Sequence, residues 1–279
     1  MNVESHTTHA ARAAPSASNG GTWLRPGEES LTRDSLRALQ ANEIAAIRIK
    51  GFASDAECKK FVTAVRAAPM RYYSVMPPVG YIGMAQYEYR WNHPKTKYFE
   101  DVAEANAKLR QVTGNSFDPV RRVMDLLQAY YPHQIDIAQE PGYGAYYAGI
   151  VRIASSGILL HADYAPFNSP DYSIGAIDAQ LGWNFFAEQP ASGGHTTVHN
   201  RPWTPRTDGS EIPASYDLPR ELVAGAITHA YAPTAGDVVI FNTRNPHEVL
   251  GGEALAAGDR VSIGSFIGRM PDGSLGLWS

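Results

Sequence analysis

Apolar residues recur with helical spacing in the first half of the chain and in short alternating runs in the second half. The helical spacing predicts helices after two capping residues, Thr32 and Ser54. It also predicts a longer helical stretch over residues 100–131, which is interrupted at residues 114–115 and restarts near residues 118–119. Cys58 falls on the apolar face of the helix that follows Ser54, so we expect it to be buried. Between the first two helices, the alternating segment 44–49 predicts a strand.

Beyond residue 135 the apolar runs become shorter, and turn signals rich in glycine and serine separate them. Such a series of short strands is typical of a sandwich, a jelly roll or a barrel. The pattern therefore predicts an α+β fold in a single domain over residues 23–279, with a helical part at 23–134 packed on a β-rich part at 135–279. The predicted strands are 145–153, 158–161, 177–186, 195–199, 226–231, 238–241 and 261–267.

Two segments show neither the helical spacing nor the strand-like alternation of apolar residues. Residues 1–22 are rich in Ala, Ser, Thr and Gly and lack an apolar run after a basic start, so we expect a disordered tail rather than a secretory signal. Residues 70–99 are irregular and rich in tyrosine. A lid over a pocket and a loop packed by its own side chains are both compatible with that composition.

The composition excludes several classes of function. The 279 residues carry a formal net charge of −4, which argues against a surface that binds nucleic acid. No run reaches the roughly 18 apolar residues of a membrane span. With one cysteine, the chain has neither a disulfide framework nor a thiolate metal cluster, so histidines and carboxylates must hold any metal. We expect a cytoplasmic protein, and the sequence contains no signal for an oligomeric state.

The strongest chemical signal is a pair of possible metal ligands at the end of a predicted strand. His161 and Asp163 close the apolar run that begins at Gly157, and residues two apart in a strand project from the same face. His247, a third ligand of suitable type, follows the predicted strand 238–241. Two imidazoles and one carboxylate form the facial triad of non-haem Fe(II) oxygenases. We predict these three residues as the metal ligands and the catalytic centre.

A basic residue at the start of the last predicted strand indicates the cosubstrate. Arg260 offers a planar fork for the distal carboxylate of 2-oxoglutarate, and Ser262 lies on the same face of that strand. A 2-oxo acid and O₂ then fill the three positions that a facial triad leaves open. Arg152 is a second basic candidate, for 2-oxoglutarate, for a substrate carboxylate or for a structural ion pair. Three aromatic residues are candidate substrate contacts: Tyr87, Trp91 and Phe167.

Each of these residues also has a structural alternative. His161 could be a satisfied core histidine, and Asp163 could cap the loop after it. His247 could lie at a surface turn, and Arg260 could pair with Glu253. These alternatives require four coincidences in the right order, whereas a single metal site accounts for all four residues.

A series of short motifs extends over most of the chain after the tail. It consists of Ile150-Val151-Arg152-Ile153, Gln180-Leu181, Gly193-Gly194 followed by a strand and Trp203, Ala230-Tyr231-Ala232-Pro233, residues 236–242, His247, Arg260 and Leu277-Trp278-Ser279. Through this series the chain resembles the Fe(II)/2-oxoglutarate-dependent oxygenases. It is most similar to the group that contains the N-substituted amino-acid hydroxylase SadA and the carrier-free aliphatic halogenases of welwitindolinone-type pathways.

The resemblance implies a double-stranded β-helix core of the jelly-roll or cupin-like kind. It also implies Fe(II), with 2-oxoglutarate and O₂ as cosubstrates, and ligand roles for the matching residues. In the halogenases of this group, glycine replaces the carboxylate ligand and leaves a site for chloride. Here Asp163 occupies that position, so we expect transfer of oxygen rather than of halogen.

The sequence therefore predicts a dioxygenase that hydroxylates an unactivated C–H bond of a small molecule. An amino acid or an amino-acid-derived intermediate of natural-product biosynthesis is the expected substrate. Desaturation and ring closure use the same oxidising chemistry and stay open as outcomes. Two further alternatives are a cupin-like metal enzyme that does not use 2-oxoglutarate and a non-catalytic metal-binding module.

Overall fold

The computed structural model describes residues 22–72, 79–89, 93–154, 157–190, 193–204, 217–232, 234–250 and 260–279. Within these ranges, none of the helices is long and apolar enough to cross a membrane. The helices are α1 (Arg33–Gln40), α2 (Asp55–Ala67), α3 (Lys95–Thr113), α4 (Pro119–Gln128) and α5 (Ala165–Asn168).

Two sheets dominate the described part of the chain. The strands are β1 (Arg25–Glu29), β2 (Ile44–Ile49), β3 (Arg71–Tyr72), β4 (Val79–Ile82), β5 (Ile135–Ile137), β6 (Gln139–Glu140), β7 (Gly144–Ala145), β8 (Ile150–Ala154), β9 (Ile158–His161), β10 (Ala179–Glu188), β11 (Thr196–His199), β12 (Thr228–Tyr231), β13 (Val238–Asn242), β14 (His247–Val249), β15 (Arg260–Arg269) and β16 (Leu275–Trp278). The large sheet has the order β1-β2-β13-β10-β15-β8-β4-β3, with β16 paired to β15 and β5 paired to β16. The small sheet has the order β12-β11-β14-β9, and β6 pairs with β7.

Both faces of the large sheet carry buried apolar residues. On one face, residues such as Ile263 join the main core with Phe61 of α2, so the helices cover this side. On the other face, Phe186 packs with Val198 and Tyr231 of the small sheet. Two sheets packed face to face, with helices on the outer side of one of them, form the double-stranded β-helix that was predicted.

Local sequence signals located several of these elements. Thr32 and Ser54 cap α1 and α2 as expected, and the Ser54 hydroxyl accepts a hydrogen bond from the backbone N–H of Glu57 at 3.3 Å. The predicted strand 44–49 is β2. Cys58 is buried on the inner face of α2, as the apolar spacing predicts. Short-range sequence patterns therefore predict these elements correctly.

The part expected to be helical also contributes strands β1, β3 and β4 to the large sheet, which the sequence did not predict. These strands are two to five residues long and carry no clear apolar alternation. Pairing with neighbouring strands fixes them, because strand formation depends on cross-strand contacts more than on local preference. Of the predicted tail, residues 1–21 lie outside the described residues, while the hydroxyl of Thr22 donates to the carbonyl of Asn42 at 2.6 Å.

Candidate active site

Three buried side chains converge at the end of the small sheet. His161 ends β9 and His247 begins β14, and the two residues are directly paired in the sheet. Oδ2 of Asp163 lies 3.7 Å from Nε2 of His161 and 3.8 Å from Nε2 of His247. The three possible ligand atoms lie within 4.8 Å of one another. The structure therefore brings together the three predicted metal ligands.

Both imidazole rings are held with Nε2 towards the carboxylate. Nδ1 of His161 lies 2.7 Å from the carbonyl oxygen of Leu159, and Nδ1 of His247 lies 2.9 Å from that of Asn245. An Nδ1–H that donates to a carbonyl leaves the Nε2 lone pair for a metal ion. Burial lowers the pKa of His161 to about 4 and that of His247 to about 3. Both rings are therefore neutral at physiological pH, as metal ligands must be.

Asp163 lies beyond the end of β9, so a turn rather than strand alternation directs its side chain. The backbone N–H of Asp163 donates to the carbonyl of Thr243 at 2.9 Å, and the Thr243 hydroxyl donates to the carbonyl of Asp163 at 3.0 Å. A Cβ atom at Gly182 would lie 2.6 Å from Cγ2 of Thr243. Glycine at that position therefore leaves room for the threonine that holds the carboxylate ligand.

Arg260 is a buried cation that the protein does not neutralise within the described residues. It is 5% exposed and lies over the ring of Phe186, 5.0 Å from the ring centroid. Its Nε atom is buried without a hydrogen-bond partner, and burial lowers the pKa of the guanidinium to about 10. The group still carries its charge at neutral pH. Since a buried charge requires a partner, the surroundings of Arg260 fit the distal carboxylate of 2-oxoglutarate. Ser262 is also buried, two residues further along the same strand.

Two hydroxyl groups that were not predicted as site residues lie in the same region. Thr196 and Tyr231 are directly opposed on β11 and β12. Both hydroxyls are buried, and neither has a hydrogen bond of normal geometry to a described residue. Tyr231 is close enough to Arg260 to raise the pKa of its guanidinium. Burial raises the pKa of Tyr231 to about 12, so the phenol keeps its proton as a donor. Strand register, which a single sequence does not provide, is the signal that identifies this pair.

Arg152 lies on β8 directly opposite Ser262 of β15. Directly opposed residues of antiparallel strands project from the same face of a sheet, so both side chains lie on the face that carries Arg260. Burial lowers the pKa of Arg260 and that of His161, and it has the largest effect on both. The positive charge of Arg152 lowers both pKa values further. This second basic residue is therefore close to the triad, and its binding role stays a prediction.

A cavity of about 290 Å³, counting the solvent at its mouth, adjoins the carboxylate of Asp163. Its walls include Tyr87 from a short 3₁₀ helix (Gln86–Tyr89), Asn168 at the end of α5, and Phe266 of β15. Asp163 is the single acidic side chain among the lining residues. A cavity that reaches a metal ligand is the natural place for a substrate, and the predicted residue Tyr87 lines it.

Phe167 and Trp91 are the other two aromatic residues predicted to contact the substrate. Phe167 packs edge-on against Trp203, with ring centroids 5.6 Å apart, and belongs to a small cluster with Leu160 and Ala162. This cluster supports the segment that carries the first two predicted ligands, and Phe167 is not one of the described residues that line the cavity. Trp91 lies outside the described residues.

The strand that carries His247 is also held from its opposite face. The carboxylate of Glu248 lies 3.2 Å from Nε2 of His199 and forms two hydrogen bonds with the guanidinium of Arg220. Glu248 is 5% exposed, so these bonds satisfy a buried charge. His199 is therefore part of the support of the site rather than a metal ligand.

Comparison with known proteins identifies a family and two relatives. A family model described as carrier-protein-independent halogenase WelO5 matches residues 27–273. The chain is 38% identical over 203 residues to leucinostatins biosynthesis cluster protein S of Purpureocillium lilacinum, which covers 71% of this chain and 82% of that protein. It is 26% identical over 264 residues to the L-γ-glutamyl-L-propargylglycine hydroxylase of Streptantibioticus cattleyicolor, covering 90% of this chain and 94% of that protein.

A solved structure supports the fold. The N-substituted L-amino acid dioxygenase from Burkholderia ambifaria AMMD matches with a TM-score of 0.58 at 17% identity, covering 88% of this chain and 91% of that one. At this level of identity the likeness concerns the fold. Together with the family match, it confirms the resemblance to Fe(II)/2-oxoglutarate-dependent oxygenases that the sequence motifs indicate.

Proposed function

The chain belongs to the carrier-protein-independent halogenase WelO5 family, and we propose that within this family it hydroxylates its substrate instead of halogenating it. The proposed enzyme is a Fe(II)/2-oxoglutarate-dependent dioxygenase that acts on an unactivated C–H bond of an amino acid or an amino-acid-derived intermediate. One observation carries this proposal. A carboxylate, Asp163, stands beside the two histidines, 3.7 Å and 3.8 Å from their Nε2 atoms.

The carboxylate matters because it decides how many positions remain on the metal. With three protein ligands, a 2-oxo acid and O₂ account for the other three positions of an octahedral ion. A halide then has no position of its own. A glycine in place of Asp163 would free one, which is why this residue distinguishes the two reactions.

The residues present fit Fe(II) and 2-oxoglutarate. Two neutral imidazoles and a carboxylate are the donor set that non-haem iron takes in oxygenases. When bound, the iron with 2-oxoglutarate and O₂ supplies an oxidant able to cleave a C–H bond. Arg260 would hold the distal carboxylate of 2-oxoglutarate, with Ser262 and Tyr231 as hydroxyl donors and Arg152 adding positive potential.

The protein's other contribution is to position the substrate and to exclude water. Tyr87 and Phe266 line the cavity beside Asp163, and together they give it an aromatic wall. The packed rings of Phe186 and Phe241 close the space between the sheets near Arg260. Exclusion of water by a bound substrate would protect a reactive oxidant and favour its reaction with that substrate.

The relatives support the class of substrate. The relative that matches 90% of this chain is a hydroxylase of L-γ-glutamyl-L-propargylglycine, and a second relative is named for a leucinostatins biosynthesis cluster. The name of the first relative fits the amino-acid-derived substrate that the sequence predicts, and the name of the second fits a role in biosynthesis.

The test is to incubate the protein with Fe(II), 2-oxoglutarate and air in buffer that contains chloride, together with a panel of amino acids, N-acyl amino acids and dipeptides. We expect succinate formation to rise above the basal rate with at least one compound, and the product to gain one oxygen atom. A product that has lost two hydrogen atoms would show that the reaction is desaturation or ring closure and not hydroxylation. A chlorinated product would contradict the proposal.

Variants of two carboxylates make this test specific. Asp163→Ala should form no hydroxylated product, because the position on the metal that Asp163 would fill becomes open to chloride or water. Asp178→Ala is the matched control, because this exposed carboxylate pairs with Arg269 on the surface at 2.7 Å. It should keep the wild-type rate.

A further inference from the structure

Three side-chain amides line the cavity beside Asp163, and the proposed chemistry does not use them. They belong to Gln86, Asn168 and Gln180. No lysine, arginine or histidine is among the described residues that line this cavity, and its one acidic side chain is the proposed metal ligand. The cavity therefore offers amide groups to a ligand and no cationic side chain.

The protein fixes the orientation of Gln180, which is 2% exposed. Its side-chain carbonyl accepts a hydrogen bond from the backbone N–H of Ala165 at 2.7 Å, and its backbone carbonyl accepts one from the N–H of Thr243 at 3.3 Å. Because the N–H of Ala165 requires an acceptor, the oxygen and nitrogen of the Gln180 amide cannot be interchanged. Nε2 of Gln180 therefore points away from Ala165.

This leaves the NH₂ group of Gln180 without a partner in the protein. Within the described residues, the hydrogen bond to Ala165 is the only one that the Gln180 side chain forms. Buried amides normally satisfy their donors, and a donor without an acceptor is costly. Since Gln180 lines the cavity, a ligand in the cavity is in a position to supply the acceptor.

Gln86 has donor capacity of the same kind. Its backbone N–H donates to the carbonyl of Ser279 at 2.9 Å, and its Oε1 accepts from the hydroxyl of Ser169 at 2.7 Å. Its Nε2 is buried without a hydrogen bond of normal geometry to a described residue. Burial raises the pKa of Tyr172 and Gln86 acts against that rise, so this amide is near the phenol. Two anchored amides at one cavity thus have donors that lack a well-formed bond.

The same cavity contains an acceptor and an apolar wall. Asn168 is the last residue of α5 and half-buried, and its side chain forms no hydrogen bond with a described residue. Its side-chain carbonyl can accept an N–H. The rings of Phe266 and Trp278, with centroids 5.7 Å apart, line the cavity as well. A planar group with one C=O and one N–H fits this combination.

The charge of the lining decides between the possible acceptors. A ligand carboxylate would lie beside Asp163 with no cationic side chain among the lining residues, and burial of an unpaired charge is unfavourable. An ammonium group brings only donors, which the NH₂ group of Gln180 cannot use. An uncharged carbonyl satisfies the unpaired donor at no electrostatic cost.

From this lining we propose that the cavity binds an amide group of the substrate, with Gln180 donating to its carbonyl oxygen and Asn168 accepting from its N–H. The inference rests on the proposed function, because it names the part of the amino-acid-derived substrate that the site recognises. A free amino acid has no amide and leaves the donor of Gln180 unpaired. The site therefore selects N-acylated amino acids or short peptides over free amino acids.

The direct test is binding to the metal-free protein, measured by saturation-transfer NMR at pH 8. One sample contains the twenty protein amino acids N-acetylated, and the other contains the same amino acids unmodified. We expect signals from at least one N-acetyl compound and at least about fivefold weaker signals from its parent amino acid, as for the loss of one hydrogen bond to a buried donor. Signals from neither mixture, or equal signals from both, would overturn the inference.

Gln180→Glu replaces the NH₂ group by an oxygen and keeps the acceptor that Ala165 uses. It should weaken binding of the N-acetyl compound at least about tenfold. Gln128→Glu is the matched control. Oε1 of Gln128 also accepts from a backbone N–H, that of Ile135 at 3.0 Å, but its Nε2 donates to the carbonyl of His133 at 2.9 Å. This control should bind as the wild type does, and equal binding by Gln180→Glu would overturn the inference.

Asn168→Ala provides a second test that breaks no hydrogen bond among the described residues, and it stays decisive if Gln180→Glu does not fold. It removes the proposed acceptor for the amide N–H, so binding of the N-acetyl compound should weaken about fivefold. Binding of the parent amino acid should change less. Unchanged binding of the N-acetyl compound in Asn168→Ala would overturn the inference.

The same proteins with Fe(II) and 2-oxoglutarate separate this inference from the proposed function. If the metal-free protein selects N-acetyl compounds through Gln180 but forms no complex with Fe(II) and 2-oxoglutarate, the proposed function fails and the amide site stands. If a substrate stimulates succinate formation but Gln180→Glu and Asn168→Ala bind it as the wild type does, the amide site fails and the proposed function stands.

Discussion

Nε2 of His247 lies 3.8 Å from Oδ2 of Asp163, although one residue begins β14 and the other follows β9. The two strands are neighbours in the small sheet, and the turn before β14 contains Thr243, which exchanges two hydrogen bonds with the backbone of Asp163. One turn therefore positions two ligands at once. Contacts within the protein therefore place these two side chains together before any ligand binds.

The role of Arg260 predicts a loss of cosubstrate affinity on mutation. Arg260→Met keeps an apolar side chain of similar length and removes the guanidinium, so the Kd for 2-oxoglutarate should rise about hundredfold. Anaerobic calorimetric titration of the Fe(II)-loaded protein measures this change. Arg269→Met, at the other end of β15, removes a surface ion pair and should have no effect. Unchanged affinity in Arg260→Met would show that Arg260 does not hold the distal carboxylate of 2-oxoglutarate.

Tyr231 predicts a smaller loss of the same affinity. Tyr231→Phe removes one hydroxyl donor and leaves the ring in its apolar contact with Phe241, so we expect a rise of about five- to tenfold in the Kd for 2-oxoglutarate. Tyr131→Phe is the control, because its hydroxyl bonds to the carbonyl of Gly273 away from the site. If both variants bind 2-oxoglutarate like the wild type, Tyr231 does not contact the cosubstrate.

The difference between Arg260 and Tyr231 shows what a sequence can reveal about this site. Arg260 follows a recognisable order of ligands along the chain, so it could be predicted. Tyr231 and Thr196 become neighbours of one another only through the pairing of β11 with β12. Side chains that meet by strand register leave no local pattern in one sequence.

The same reasoning applies to the fold. The capping residues Thr32 and Ser54 locate α1 and α2, because each cap acts within three or four positions. Strands β1 and β4 have no such signal and form through pairing with β2 and β8.

A substitution at Gly182, which is not a predicted ligand, should still weaken metal binding. In Gly182→Ala the added Cβ would stand 2.6 Å from Cγ2 of Thr243, so this threonine must move and Asp163 with it. We expect metal affinity to fall about tenfold, as for other changes behind a metal ligand. Gly27→Ala, where nothing lies within 4 Å of the added Cβ, is the control. Equal metal affinity in the two variants, measured by competition with a chelator, would show that Thr243 does not position Asp163.

The two ligand histidines predict a pH dependence of stability in the metal-free protein. Their ordinary pKa is 6.5, and burial in the folded state lowers it to about 4 for His161 and about 3 for His247. Between these values the unfolded chain binds more protons than the folded chain, so the free energy of unfolding decreases as the pH falls from about 6.5 towards 4. The stabilisation is fully present above pH 7.

Urea unfolding of the metal-free protein at a series of pH values measures this dependence. His161→Gln should show a shallower decrease, since it removes one of the two groups, while His195→Gln alters an exposed histidine and should follow the wild type. A curve for His161→Gln that parallels the wild type would show that His161 keeps its ordinary pKa.

The most direct measurement is anaerobic addition of Fe(II) and 2-oxoglutarate to the apo protein, followed by visible absorption. We expect a weak charge-transfer band that appears when both are present and that is absent in His161→Ala. A band of equal intensity in the wild type and in His161→Ala, or no band in the wild type, would contradict the assignment of the iron site.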